Sequence, residues 1–261
     1  MLNRIKNFAS LYRELGPRWS AFRVAYAFRL RTGLIRLQMP IGEWSDYKRL
    51  LAERSDERSS RHAVEARRLP ENISWNPQIA VEEADRILNG EIKYFAHQFI
   101  KTGFPPNWHT DPVSNLQSLQ KLHWSQISDE DVAARRSWFL PKQSPDNRGL
   151  LLEDSQRHID IKFIWEPNRF AFVYTLVRAY VATRDEKYPE AFWTLIEDWA
   201  KHNPPNTGLN WMDGQEIALR LMAWTFGFNQ FSNSPSSTPD RKAKFILLVA
   251  AQAERIYKNI D

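Results

Sequence analysis

The sequence contains no cysteine, which excludes a disulfide framework and a thiolate metal site. Its six histidines are scattered, and none has the HExxH or similar spacing of metal ligands. No apolar run is long enough to span a bilayer, and the first residues lack the continuous apolar segment and cleavage site of a signal peptide. We therefore predict no metal, no cofactor and no export signal, and we leave the location as cytoplasmic or unassigned.

The composition is that of a globular protein, with 43% hydrophobic and 26% charged residues among 261. Eleven tryptophans are more than a core of this size needs. Tryptophan serves as a large buried anchor or as a platform that stacks on sugar rings or bases. Nucleic-acid binding would require basic residues interleaved with the aromatic ones, whereas the aromatic-rich half of the chain is slightly acidic. We expect no nucleic-acid partner.

The net charge of +5 is concentrated at the start, where residues 1–40 hold eight Lys and Arg against one acid. Apolar and basic positions alternate there at helical spacing, with a break at Gly16-Pro17. This pattern predicts a basic amphipathic helical arm, followed by a charged linker that ends near residue 70. The arm could contact an anionic membrane or a protein, present a solvated basic face, or dock on the body of the protein through its aromatic residues.

We predict that residues 71–261 form one unit with a loop-rich middle segment. A helix starts at Asn76-Pro77, residues 92–100 form either a small strand pair or an extended edge, and the Pro-rich stretch 103–157 shows no sustained period. Four apolar helices with short connections then occupy the remainder, and short connections place successive helices antiparallel. The predicted fold is all-α: an incomplete (α/α) toroid of stacked antiparallel helix hairpins.

One polar cluster lies where this helical region begins. Trp165 and Glu166 are followed by Pro167, Asn168 and Arg169. Proline favours the first helical turn, so we predict a helix start with Glu166 near its N-cap. The same residues could instead line a carbohydrate site, since tryptophan faces suit pyranose rings and arginine suits carboxylates.

A second cluster of the same composition precedes and enters a later helix. Asn210 and Trp211 lie in a Pro- and Gly-rich loop, and Asp213 can cap the helix that follows. Glu216 can complete a capping box, and Arg220 one turn later is spaced to pair with it. The pair either ties helices together or faces a polar cleft, and Trp211 is either a core plug or a sugar platform.

Two segments, DIKFIWEPNRF at 160–170 and NPPNTGLNWMDGQEIALRLMAW at 203–224, resemble the N-terminal domain of the heparinase II/III-like polysaccharide lyases. The order of elements between them agrees, and the resemblance is specific over 160–261 and weaker over 75–128. The opening LGPRW and YAFRLRTGLI stretches also resemble bacterial members. The resemblance implies an α/α toroid followed by a C-terminal β-sandwich domain, which this sequence does not contain.

The resemblance also implies β-elimination on a uronic-acid-containing polysaccharide, either heparin- or heparan-like or alginate-like. In the family the catalytic set follows an Asn-Asn-His helix start. No Asn-His pair occurs in this sequence, so we expect the catalytic residues after Asp261 and an inactive chain on its own. The resemblance implies that this sequence supplies one wall of the family's cleft. Its substrate-side or supporting residues are Trp165, Glu166, Arg169, Asn210, Trp211, Glu216 and Arg220. The alternative is a non-enzymatic carbohydrate-binding or scaffold module of an exopolysaccharide system.

Overall fold

The computed structural model describes residues 2–49, 75–127 and 159–259. The first helix, α1 (Leu2–Thr32), bends sharply at Gly16, whose backbone leaves the helical region with φ 82° and ψ 174°. The sequence predicted this break, and glycine permits it because it has no Cβ. A short helix, α2 (Leu34–Gln38), follows. The predicted linker and its end at residue 70 lie outside the described residues.

The segment 2–49 is attached to the body by side-chain hydrogen bonds. Trp44 Nε1 donates to Ala200 O at 3.0 Å, and Arg29 Nη2 donates to Lys258 O at 3.2 Å. Tyr26 packs against the main hydrophobic core. The arm therefore docks on the body, which is one of the roles that its aromatic residues allowed.

A helix and a two-stranded sheet form the next described part. Helix α3 (Pro77–Leu88) begins at Asn76, whose side chain accepts hydrogen bonds from two backbone amides in the first turn. The strands β1 (Glu91–Tyr94) and β2 (Gln98–Lys101) pair antiparallel, which is the strand pair rather than the extended edge that the sequence also allowed. A loop with one short 3₁₀ turn occupies the rest of this part up to residue 127.

Five helices make up the described C-terminal part. They are α4 (Ile161–Asn168), α5 (Val173–Thr183), α6 (Lys187–His202), α7 (Gly214–Phe231) and α8 (Pro239–Tyr257). Ring contacts give their directions. Tyr174 meets Phe226 and Tyr180 meets Phe231, so α5 and α7 run parallel. Phe192 on α6 also meets Phe231, whereas later residues of α6 meet earlier residues of α7, so these two helices run antiparallel.

The arrangement is therefore two helix hairpins, α5–α6 and α7–α8, stacked side by side. They pack tightly at Gly227, where an added Cβ would lie 2.6 Å from side-chain atoms of both Phe192 and Val173. The described residues form the predicted all-α, toroid-like fold of stacked antiparallel hairpins. Within these residues, no helix combines the length and apolar character needed to cross a membrane.

Tryptophans fill the centre of this core. Trp199 is fully buried, and its ring centroid lies 5.1 Å from that of Trp224 and 6.4 Å from that of Trp211. Trp108 and Trp193 are also buried to within 2%. These five tryptophans therefore anchor the core.

Candidate functional site

The first cluster lies at the end of a helix rather than at its start. Helix α4 begins at Asp160, whose carboxylate accepts a hydrogen bond from Lys162 N at 2.9 Å. Glu166 and Pro167 fall in its last turn, and Arg169 is the residue that ends it. The prediction of Glu166 near an N-cap is therefore wrong, because the aspartate six residues earlier is the side chain that caps the helix.

This position brings three charged side chains together, here called the Glu-Arg-Glu cluster: Glu166, Arg169 and Glu216. Arg169 Nη1 donates to Glu166 Oε2 at 2.5 Å. Its Nε and Nη2 donate to the two carboxylate oxygens of Glu216 at 2.5 and 2.8 Å. The two carboxylates are 10% and 8% exposed, and the guanidinium is 27% exposed. The pair with Glu216 is thus a bidentate salt bridge that joins α4 to α7.

The electrostatics of the cluster follow from this geometry. The hydrogen bonds from Arg169 to Glu216 raise the pKa of the guanidinium, and burial opposes them. With both carboxylates ionised, the formal charge of the cluster is −1, from one guanidinium and two carboxylates. Its oxygens are suited to accept hydrogen bonds from hydroxyl groups, whereas neutralising a substrate carboxylate would need additional positive charge.

The turn between β1 and β2 approaches the same cluster. Phe95 N donates to Glu166 Oε1 at 2.9 Å, and the Phe95 ring meets Phe163 at 5.2 Å. Phe95 has a positive φ of 51° and is 36% exposed. Burial raises the pKa of the neighbouring Tyr94 hydroxyl, and Asp111 and Glu166 add to the effect. The hairpin therefore supplies an aromatic residue beside the charged group.

Trp165 connects the cluster to the loop before α7. Its indole Nε1 donates to Leu209 O at 3.2 Å, and its side chain is partly buried. Of the two tryptophans that the sequence predicted as site residues, this one retains accessible surface.

Asn210 and Trp211 lie in the core, 1% and 0% exposed. Asn210 Nδ2 donates to Asn203 Oδ1 at 2.8 Å, and Trp211 Nε1 donates to Asn203 O at 3.3 Å. The Trp211 ring also meets Trp44 and Trp199. Their burial indicates that they fill the core rather than form a sugar platform. We therefore keep only a supporting role for them.

Arg220 has partners other than the expected one. It is fully buried, and its guanidinium donates to Gln252 Oε1 at 2.6 Å, Asn168 O at 3.2 Å and Asn210 O at 3.0 Å. The prediction that Glu216 pairs with Arg220 and completes a capping box is wrong, because Glu216 turns to Arg169. Asp213 caps α7 as predicted, accepting from Gln215 N at 2.7 Å.

Two charged or polar residues of this region were missed by sequence reasoning. Gln252 stands in an apolar stretch of α8, which is the signal that could have indicated a buried partner. Arg255 is 4% exposed and donates to Trp211 O at 3.1 Å and Met212 O at 2.9 Å. Its guanidinium also covers the Trp124 ring at 3.7 Å. Arg255 therefore fixes the loop that carries the second cluster, and Gln252 positions the Arg220 guanidinium, which donates to Asn210 O in that loop.

The histidines that could have joined a site take structural positions. His109 Nε2 bonds His202 O at 3.0 Å, and His123 Nε2 bonds Met39 O at 2.9 Å. Burial lowers the pKa of both imidazoles. Among residues 2–49, 75–127 and 159–259, no group of three or more His, Asp and Glu is placed to hold a metal ion.

Comparison with known proteins gives a family match and a likeness to solved structures. The model for the heparinase II/III N-terminus matches residues 91–261. The crystal structure of heparan sulfate lyase HepC from Pedobacter heparinus is 20% identical, with a TM-score of 0.48 over 81% of this chain. A mutant of that enzyme gives a TM-score of 0.45 at the same identity. The chain spans 27% of the length of each of these structures. None of the curated proteins compared with the chain matches it.

Proposed function

Because the chain belongs to the heparinase II/III N-terminus family, we propose that it is the N-terminal helical part of a polysaccharide lyase. The reaction is β-elimination on a uronic-acid-containing polysaccharide, either heparin- or heparan-like or alginate-like. The observation that carries this proposal is the family match over residues 91–261, which includes both polar clusters.

The described residues have a limited part in this reaction. β-Elimination requires neutralisation of the substrate carboxylate, a base that removes the proton at C5 and an acid at the leaving oxygen. A cluster with a formal charge of −1 does not neutralise a carboxylate, and the sequence contains no Asn-His pair. On this proposal the two polar clusters do not supply the catalytic groups, and we expect no lyase activity from this chain alone.

Within the family's cleft, the predicted wall divides into two parts. Trp165, Glu166 and Arg169 are partly exposed and are the substrate-side candidates, with Phe95 beside them, and the buried Glu216 holds Arg169 in place. Their chemistry suits hydrogen bonds to sugar hydroxyls and contact with a pyranose face. The buried residues Asn210, Trp211 and Arg220 support that wall from behind.

An activity assay tests the catalytic part of this proposal. The purified 261-residue chain is incubated with heparan sulfate and, separately, with alginate, and the ultraviolet absorbance of unsaturated uronate is followed. We expect no turnover on either polysaccharide. Clear turnover by this chain would show that the catalytic groups are already present and would overturn the assignment.

Glycan binding tests the substrate-side part. Affinity electrophoresis in gels that contain heparin or alginate should retard the chain, and Arg169→Met should weaken the retardation. Arg241→Met is the matched control, because Arg241 also bridges two glutamates but lies on α8 against α6. Equal effects of the two substitutions, or no retardation by either polysaccharide, would contradict a carbohydrate site at the cluster.

A non-enzymatic carbohydrate-binding or scaffold module is the second candidate. It is favoured by the cluster itself, in which each carboxylate and the guanidinium already have partners and no catalytic dyad is evident among the described residues. The coding sequence after Asp261 separates the two candidates. An Asn-Asn-His helix start there supports the lyase, and a stop codon supports the module.

A further inference from the structure

Exposed apolar side chains are concentrated in the N-terminal arm. Among the described residues, eight of the eighteen exposed large hydrophobic side chains fall within 12–41, a stretch of 30 residues. They are Tyr12, Leu15, Val24, Phe28, Leu30, Leu34, Leu37 and Ile41. Single exposed apolar residues are ordinary, but a concentration of them marks an interaction surface.

The second half of α1 is apolar on two opposite faces. Phe22 and Tyr26 line a groove against Met212 and Ile256, so this face lies on the body. At 3.6 residues per turn, Val24 and Phe28 point to the other side of the helix. They are 58% and 60% exposed. The body therefore covers one apolar face and leaves the other, here called the outer face, in contact with solvent.

Small residues continue the outer face. A shallow groove on this face is lined by Tyr12, Pro17, Ser20, Ala21, Val24, Ala25 and Phe28. The Ser20 hydroxyl donates to Gly16 O at 3.1 Å and so has its partner within the helix, and Tyr12 belongs to the first half of α1. The centre of the outer face can therefore be buried in an apolar phase without leaving a polar group unpaired.

Positive charge flanks the outer face. Arg31 is exposed on the same helix half, Arg23 is exposed there at the edge of the body-side groove, and Arg13 and Arg36 are exposed before and after it in the chain. Residues 1–40 contain one acidic residue, Glu14, against eight basic ones. An apolar strip with arginines along its edges matches the acyl boundary and the anionic headgroups of a lipid surface.

We propose that the outer face of α1 binds the surface of an anionic lipid bilayer, with Val24 and Phe28 inserted at the headgroup level. The helix lies in the plane of the interface, since no described helix is long and apolar enough to span the bilayer. This binding is independent of the polysaccharide site, because the Glu-Arg-Glu cluster belongs to α4 and α7.

Vesicle cosedimentation of the 261-residue chain tests the proposal. Vesicles of phosphatidylcholine mixed equally with phosphatidylglycerol should sediment the chain at low salt, and vesicles of phosphatidylcholine alone should not. High salt should release the chain, because screening weakens the attraction to the anionic surface. No sedimentation with the mixed vesicles at low salt would overturn the proposal and would leave a protein partner as the occupant of this face.

Two pairs of substitutions separate the apolar and the charged contributions. Val24→Ser with Phe28→Ser should reduce the partition coefficient about tenfold, from loss of apolar burial. Met222→Ser with Ile246→Ser is its matched control, since these residues are 60% and 46% exposed on α7 and α8.

Arg23→Gln with Arg31→Gln should also reduce binding about tenfold. Its control, Lys101→Gln with Lys201→Gln, removes two exposed charges elsewhere.

Circular dichroism checks that each variant keeps the helical content of the parent. A folded Val24→Ser/Phe28→Ser variant that binds as well as its control would overturn the proposed insertion. Equal losses from the two arginine and the two lysine substitutions would show that net charge alone causes the binding, which would also overturn the assignment to this face.

Discussion

Arg169 and Arg220 occupy corresponding places in two clusters of similar composition, yet their surroundings are opposite. Arg169 is partly exposed and bridges two carboxylates. Arg220 is fully buried, and its guanidinium donates hydrogen bonds to neutral oxygens of Gln252, Asn168 and Asn210. A fourth neutral contact is the face of Trp199, whose ring centroid lies 4.3 Å from the guanidinium carbon.

The difference shows what each arginine does for the fold. The Arg220 guanidinium donates to oxygens from α8, from the end of α4 and from the loop before α7. It thereby ties these three segments together at one point in the core. Burial lowers the pKa of Arg220, and the nearby Glu216 opposes that shift. Arg169 instead joins two helices at the surface of the site, where a ligand could reach it.

The largest expected effect comes from removing the buried guanidinium. Arg220→Met keeps an apolar stem but leaves three buried oxygens without donors, so the free energy of unfolding should fall by about 3–5 kcal/mol. Urea unfolding followed by tryptophan fluorescence measures this change. Arg31→Met, at an exposed position, is the control and should change stability by about 0.5 kcal/mol or less. A loss below about 1 kcal/mol for Arg220→Met would contradict the structural role.

The sequence predicted elements well where local rules decide them. The break at Gly16, the cap at Asp213 and the β1–β2 pairing all depend on residues within a few positions of one another. The all-α fold of antiparallel hairpins followed from four apolar helices with short connections. These features needed no knowledge of which distant segments meet.

The partners of charged residues were not predictable in the same way. Glu216 and Arg220 have the spacing of a helical pair, but Arg169, 47 positions before Glu216, forms a bidentate bond with it. A bidentate, partly buried bond outweighs the few tenths of a kcal/mol of an exposed helical pair. Likewise, the Pro at 167 suggested a helix start, and the stronger cap at Asp160 moved that start upstream.

An intermediate effect is expected from the partly exposed bridge. Glu216→Gln keeps the side-chain size and one acceptor for Arg169 but removes the charge, and Arg169 retains Glu166. We expect the free energy of unfolding to fall by about 1–2 kcal/mol, less than for Arg220→Met. Urea unfolding of the double variant Arg169→Met/Glu216→Gln completes the cycle. If the losses in unfolding free energy from Arg169→Met and Glu216→Gln simply add in the double variant, the bridge between the two side chains contributes nothing to stability. The stabilising role that distinguishes Arg169 from a surface arginine would then be contradicted.

The smallest effect should come from an arginine whose carboxylates are exposed. Arg241 on α8 donates to both oxygens of Glu190 on α6 at 2.7 Å, and the Glu190 side chain is 50% exposed. Its hydrogen bonds to Arg241 lower the pKa of Glu190 below the ordinary value of 4.5. Because the folded-state pKa is depressed, the stabilisation is present above about pH 4.5 and is lost as the pH falls through the folded value.

Solvent screening limits that stabilisation to a few tenths of a kcal/mol. Thermal unfolding of the parent chain and of Glu190→Gln at pH 7 should therefore differ by about 1–2 °C, and the difference should shrink below pH 4.5 and vanish once the pH is below the depressed pKa of Glu190. A difference that persists or grows in acid would mean that Glu190 acts through packing rather than through its charge. The exposure of the partner groups would then not explain why Arg241 ranks below Arg169 and Arg220.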